Sequence, residues 1–313
     1  MPVVAEVVRS GFVEGRHRGC VVALASDGSV ALEVGDIWAP MFPRSSNKPM
    51  QAAGMLAAGL GIGGELLALA AASHSGEPFH LDGVRKILAG AGLDVRALQT
   101  PADYPYDMVT QREWVAAGHG PEPVAMNCSG KHAAMLATCV ANGWDVASYR
   151  EPSHPLQLAL RSTLEQLAGE PVSATGVDGC GAPVLAISLI GLARAGRACV
   201  LGDPGSPHRK VADAMRSYPQ WVGGSRRDVT ALMRGVPGLL AKDGAEGVSM
   251  VALADGRAVA VKIDDGAQRA RQVVTAAALQ ALGVDAEVVA QQLTWELFGG
   301  GQPIGTVRAT ALA

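Results

Sequence analysis

Cys20-Val21-Val22-Ala23-Leu24-Ala25 is followed by Ser26-Asp27-Gly28 and then by Ser29-Val30-Ala31-Leu32-Glu33-Val34. An Asp-Gly pair between two apolar runs is a strong hairpin signal, because a tight turn needs residues that tolerate positive φ. The same grammar recurs near the other end, as Val248 to Ala254, Asp255-Gly256 and Arg257 to Ile263. Two such hairpins bracketing the chain predict one antiparallel sheet that brings the ends together. Val3 to Val13 reads as a further strand.

Between the hairpins the pattern turns helical. Met50 to Ala72 and Ala267 to Leu282 have the length and composition of helices that cover the faces of the sheet. Leu81 to Leu93, His132 to Asn142, Leu156 to Leu167 and Pro183 to Ala195 also read as helices. The expected class is α/β (α+β), an antiparallel sheet from both chain ends with an inserted helical part. Residues 1–80 and 202–313 would form the sheet subdomain and 81–201 a mostly helical one, within one structural unit.

At 313 residues the chain is long enough for a large core. Hydrophobic residues make up 49% but aromatics only 4%, so Ala, Val, Leu and Gly must build that core. The net charge of −3, without a basic stripe, argues against nucleic acid as a partner. Met1 to Gly15 lacks the basic-then-apolar order of a secretory leader. Gly54 to Ala72, the longest apolar candidate for a membrane span, is broken by five glycines and Glu65. These features lead us to expect a soluble, cytoplasmic protein. Five cysteines, an odd number, argue against a disulfide framework.

Arg44-Ser45-Ser46-Asn47-Lys48-Pro49 places a serine three residues before a lysine, just ahead of an apolar run. On a helix such residues share a face. A neutral lysine can then take the serine's proton and activate it, and burial with nearby positive charge favours the neutral form. With Ser46 as N-cap, Pro49 would fall at the third helical position, where no donor is needed. The ordinary alternative is a capping serine beside a solvated lysine.

Four other stretches draw attention. Asn127-Cys128-Ser129-Gly130-Lys131-His132 opens a helix, and Gly176-Val177-Asp178-Gly179-Cys180-Gly181 offers a second cysteine in a glycine-rich turn. Spacing alone favours structural thiols in tight turns. A zinc site, with Lys131 or His132 as third ligand, is the alternative. Ser73-His74-Ser75 reads as a polar helix end, or as a turn in which Ser73 or Ser75 relays a proton. Lys242-Asp243-Gly244 precedes a strand. It is either an exposed turn or a partial match to the K-T-G element that accompanies S-x-x-K in serine acyl-transfer enzymes, with Lys262 as runner-up. Gly59-Leu60-Gly61-Ile62-Gly63-Gly64 has dinucleotide-loop spacing but no strand before it, so it is set aside.

Taken together and in order, these stretches resemble the Rhizobium etli type of L-asparaginase, the third asparaginase class. The resemblance spans nearly the whole chain. Asn-Cys-Ser-Gly-Lys-His and Asp-Gly-Cys are its specific elements, and Ser-x-x-Lys is not specific by itself. Thr100-Pro101-Ala102 and Met126 depart from the pattern.

The resemblance implies a fold similar to serine β-lactamases and serine glutaminases. It implies hydrolysis of L-asparagine to L-aspartate and ammonia through a serine acyl-enzyme. Ser45 with Lys48 would be one Ser-Lys tandem and Ser73 with Lys242 the other. Cys128, Lys131 and Cys180 would hold a zinc ion. Arg44, His132 and Asp178 would contact substrate, and the enzyme would be a homodimer. Two rivals remain: a penicillin-binding or β-lactamase-like acyl hydrolase, and a non-catalytic amino-acid-binding module.

Overall fold

A computed structural model describes residues 1–312. Its strands are β1 (Val3–Arg9), β2 (Phe12–Leu24), β3 (Val30–Val34), β4 (Pro40–Met41), β5 (Ala174–Val177), β6 (Pro183–Ser188), β7 (Leu240–Gly244), β8 (Val248–Ala252), β9 (Ala258–Ile263), β10 (Thr294–Gly299) and β11 (Gln302–Ala309). The helices are α1 (Lys48–Ala57), α2 (Gly64–Ala70), α3 (Pro78–Gly90), α4 (Met108–Ala116), α5 (Ser129–Asn142), α6 (Pro155–Ala168), α7 (Leu189–Leu201), α8 (Pro207–Ser217), α9 (Pro219–Val222), α10 (Asp228–Gly235), α11 (Gln268–Ala281) and α12 (Glu287–Gln291). None is long and apolar enough to cross a membrane among the described residues.

The main sheet runs β10-β11-β1-β2-β9-β8-β7, with β3 also on β2. Both hairpins form, with Val21 opposite Val34 in one and Met250 opposite Ala260 in the other. They pair with each other antiparallel through β2 and β9, where Val22 faces Ala260. The class is therefore α+β, with an antiparallel sheet drawn from both chain ends.

Every residue of β8 is buried. Successive strand side chains point to opposite faces, so both faces of the sheet must be covered there. α7 lies against β2, β8 and β9, and α11 against β1, β9 and β11. Gly196 brings α7 close to the sheet: an added Cβ would stand 2.4 Å from Met250 Sδ.

Several expected helices differ. Met50 to Ala72 is two helices, α1 and α2, because Gly59, at φ +93°, ends the first. Neither covers the sheet: α1 packs on α5, α6 and α8. Its near-total burial, from Lys48 to Met55, suits a helix surrounded by other helices. Pro183 to Ala195 begins as strand β6, six buried residues that pair with β4 and β5. Ser188 then caps α7, its side chain accepting from Gly191 N at 2.9 Å. Thus α7, placed by sequence with the helical insertion, serves the sheet.

Gly19 marks the point on β2 where pairing passes from β1 to β9. A Cβ there would lie 2.4 Å from Lys262 O and 3.2 Å from Val4 Cγ2. Backbone cannot yield as a flexible side chain can, so Gly19→Val should cost about 2 kcal/mol or more. Urea unfolding should show a lower midpoint with the slope retained. A midpoint equal to wild type would rule out this seam as a tight contact.

Candidate active site

Ser45 and Ser73 line one small cleft of about 70 Å³ with Tyr106, Asn127, Arg227, Asp243, Gly244, Ala245 and Gln268. The elements that deliver them are far apart in sequence. Ser45 lies in a 3-10 turn, Arg44–Asn47, that leads into α1. Asn47, not Ser46, stands at the N-cap of α1, and Pro49 is near its start. Ser46 instead donates to Pro43 O at 2.6 Å. Arg44, just before Ser45, holds φ at +51°. That region is uncommon for a residue with a Cβ, and such strain gathers at functional sites. The turn sits against β7 through Gly244, where an added Cβ would be 2.7 Å from Pro43 O and 3.3 Å from Ser45 N. The amides of Ser45 and Ala245 donate to no acceptor among the described residues.

Lys48 is fully buried, and its Nζ donates to Ala72 O at 2.5 Å, Ser73 Oγ at 3.0 Å and Cys128 Sγ at 3.1 Å. The expected direct Ser45–Lys48 bond is thus replaced by a Lys48–Ser73 bond. Lys48 Nζ is drawn instead to three acceptors on other segments, Ala72 O, Ser73 Oγ and Cys128 Sγ. Ser73 is also the serine that reaches the cleft. Ser75 Oγ is spent on Gly223 O at 2.8 Å.

Lys242 is buried in β7, which overturns the exposed-turn reading. Its Nζ donates to Asp243 O at 2.6 Å and Asp243 Oδ1 at 2.8 Å, so no Ser73–Lys242 hydrogen bond forms. Burial lowers its pKa to about 8, with Lys48 adding to the effect and Asp243 opposing it. Lys262 reaches Glu246 O and Ile263 O, away from the cleft.

Behind Lys48 lies a thiol pair. Cys128, at the N-cap of α5, and Cys180 pack with Met126 and Ala182. Met126 Sδ accepts from Cys128 N at 3.1 Å, which accounts for an apolar residue at that place. The Asp178–Gly181 turn joins strands β5 and β6 and does not lead into a helix. Lys131 Nζ lies 3.2 Å from Cys180 Sγ. A hydrogen bond from Cys128, helped by Lys131, holds the Cys180 thiol well below its usual pKa. The same contact and burial push Cys128 upward.

Two thiols packed together with a lysine nitrogen on one of them are a donor set that suits zinc, leaving a fourth position open. No cluster of three His, Cys, Asp or Glu side chains gathers among the described residues, so the fit depends on Lys131 as donor. Burial favours neutral Lys131, but the two sulfurs outweigh it and raise its pKa. A metal cation on those sulfurs would reverse that sign.

His132 and Arg44 are not among the residues lining the cleft. His132 Nδ1 meets Tyr149 OH at 2.6 Å, its Nε2 is buried without a partner, and burial lowers its pKa to about 4. Arg44 Nε is paired to Asp178 Oδ1 at 2.8 Å, with Glu246 near its Nη1. Sequence reasoning missed Tyr106, Arg227, Asp243 and Gln268. Tyr106, Arg227 and Gln268 belong to no short motif, and Asp243 stands in Lys242-Asp243-Gly244 only as a departure from K-T-G. The packing of α10 and α11 near β7 brings Arg227, Asp243 and Gln268 together.

Asp243 is the single carboxylate between Lys242 and Arg227. Removing one partner of a buried pair leaves an uncompensated charge. Asp243→Asn should therefore cost about 3–5 kcal/mol at pH 7. In the folded protein Lys242 titrates near 8, below the roughly 10.4 of a free lysine. The unfolded chain holds that proton more tightly, so this group makes stability rise with pH between those values. Asp243 raises the Lys242 pKa, so without it that pKa falls further, the variant alone gains stability as pH rises towards 8, and the deficit of Asp243→Asn should shrink from pH 7 to pH 9. Urea titrations of both proteins at the two pH values test this, and a constant deficit would contradict it.

No curated protein matches the chain. Among solved structures it is similar to a β-lactamase from Mycobacterium bovis, at 14% identity and a TM-score of 0.48, over 84% of this chain and 94% of that one. A putative β-lactamase from Bacteroides dorei is similar at 14% identity and a TM-score of 0.44, over 79% and 84%. Mglu in its native form is similar at 13% identity and a TM-score of 0.43. That match covers 85% of this chain but 63% of Mglu. The family described as L-asparaginase II matches residues 5–309, so the chain belongs to the L-asparaginase II family.

Proposed function

We propose that the protein hydrolyses L-asparagine to L-aspartate and ammonia through an ester on Ser45. The observation that carries this reading is the cleft where two serines meet, one of them bonded to a buried lysine. Ser45 Oγ attacks the side-chain amide carbon. Its proton passes by way of Ser73 Oγ to Lys48 Nζ, which must be neutral to accept it. The Ser45 and Ala245 amides, free of protein acceptors, stabilise the oxyanion at about 3 kcal/mol per donor. The proton returns to the departing ammonia, and water then cleaves the β-aspartyl ester. Lys242, still largely cationic at pH 7, adds positive charge to this end of the cleft.

Cys128, Cys180 and Lys131 would hold a zinc ion. Bound there, it would supply a fixed positive charge behind Lys48. Lys48 is the link between the two parts, since its Nζ bonds both Ser73 Oγ and Cys128 Sγ. We propose as well that the enzyme is a cytoplasmic homodimer, with the helical segment 81–201 a subdomain that joins the sheet through α7.

The Lys48–Ser73 bond favours one rival assignment, in which Ser73 carries the ester. Ser45→Ala should abolish ammonia release, by at least 1000-fold, in a protein with unchanged melting behaviour. Ser73→Ala should slow turnover yet still give an ester on Ser45, found by quenching and peptide mass mapping. An ester on Ser73 would exchange the two roles, and full activity in Ser45→Ala would sink the mechanism.

Metal content provides a separate check. Purified protein should carry close to one zinc per chain (about one, as for a three-ligand site), and Cys180→Ser should lose it. Protein isolated without zinc, and unable to take it up on addition, would dismiss the metal site.

A further inference from the structure

Among the described residues, Arg227 is the one cation lining the cleft, and its hydrogen bonding is incomplete. It precedes α10 and lines the cleft beside Ser45 and Ser73. Its Nη2 is paired to Asp243 Oδ2, and its guanidinium lies over the Tyr106 ring, 4.8 Å from the centroid. Two contacts on different sides fix the plane of the group. Its Nη1 is buried and without a partner. A buried donor left unmade is costly, and a guanidinium is the side chain best shaped to grip a carboxylate through two nitrogens.

The charge balance around it points the same way. Asp243 is shared by Arg227 and Lys242, so two cations answer to one carboxylate. The other nearby arginine, Arg271, is already paired with Asp228 and with Gln268 Oε1. Arg44 is already neutralised by Asp178. An anionic group entering the cleft would therefore meet, at Arg227, a lining guanidinium whose carboxylate partner is shared with Lys242.

We infer that Arg227 forms a carboxylate subsite that binds the α-carboxylate of an amino-acid amide and aligns its side-chain amide on Ser45. This rests on the amidohydrolase reading above. It makes Arg227 a specificity-determining residue and explains how a small cleft selects amino acids over simple amides. Tyr106 acts through Arg227 by holding the guanidinium plane.

The test compares L-asparagine with 3-aminopropanamide, which keeps the amide and amine but lacks the carboxylate. Wild type should prefer asparagine in kcat/KM by on the order of 100-fold or more, the scale of a buried charge contact. In Arg227→Gln and Arg227→Lys that ratio should collapse towards one, chiefly through KM for asparagine. Arg227→Lys retains a cation for Asp243, so it separates the subsite from folding. A ratio kept at its wild-type value in Arg227→Lys, whatever the absolute rates, would overturn the inference.

Should wild type release no ammonia from any amide, the amidohydrolase reading fails, and binding decides the subsite. L-aspartate should then raise the melting temperature of wild type and not of Arg227→Lys. Equal stabilisation of both proteins would reject the subsite.

Discussion

Lys48, Lys131 and Lys242 are among the largest fully buried side chains of the protein. An ammonium group taken out of water must find hydrogen-bond partners or lose its proton. Their partners come from distant segments. Lys48 at the start of α1 reaches Ala72, Ser73 and Cys128, Lys131 on α5 reaches Cys180 in the β5–β6 turn, and Lys242 on β7 reaches Asp243. The first two ties join the start of α1 to the turn after α2, to α5 and to the small sheet. Asp243, through Arg227, ties β7 to the start of α10. Much of the helical layer is thus obliged to meet the end of the main sheet at one place, and that place is the cleft.

The two hairpins were legible in the sequence because their signals are local, whereas β10 and β11, which extend the sheet beyond β1, and the turn at Ser10-Gly11 that splits Val3 to Val13 between β1 and β2 were not. Asp27-Gly28 and Asp255-Gly256 specify turns within a few residues, and the flanking apolar runs have nowhere else to pair. The helical layer was less so. Composition could not separate Pro183–Ser188 from a helix, since a short buried run looks alike in either state. Nor could it show that Gly59 would end α1 and leave α7, not α1, to cover the sheet. In each case the outcome depends on contacts made by remote segments, such as Gly196 against Met250.

At the cleft the residue types were legible and the partnerships were not. Ser45, Lys48, Ser73, Cys128, Lys131 and Cys180 stand out by type and spacing, and the structure gathers them. Spacing, however, pairs Ser45 with Lys48, while in the fold Lys48 bonds Ser73. Two residues after Lys242 stands Gly244. Physically, that glycine lets the Ser45 turn approach β7. Arg227 carries no local signal at all. Its importance comes from an incomplete hydrogen-bond set that only a folded chain reveals.

The strain at Arg44 belongs to the same design. A residue with φ of +51° persists only where surroundings over-determine it. Here the side chain is held by Asp178 and the following backbone by Gly244 of β7. One clamp comes from the β5–β6 turn that also carries Cys180, the other from the strand that also carries Lys242. The position of Ser45 is therefore set by the same two segments that position the thiol pair and the second buried lysine. A shift in either segment would move the serine and the charges around it together. Ser45, Ser73 and the buried lysines behind them thus form one mechanically coupled unit, in which the two serines line the cleft.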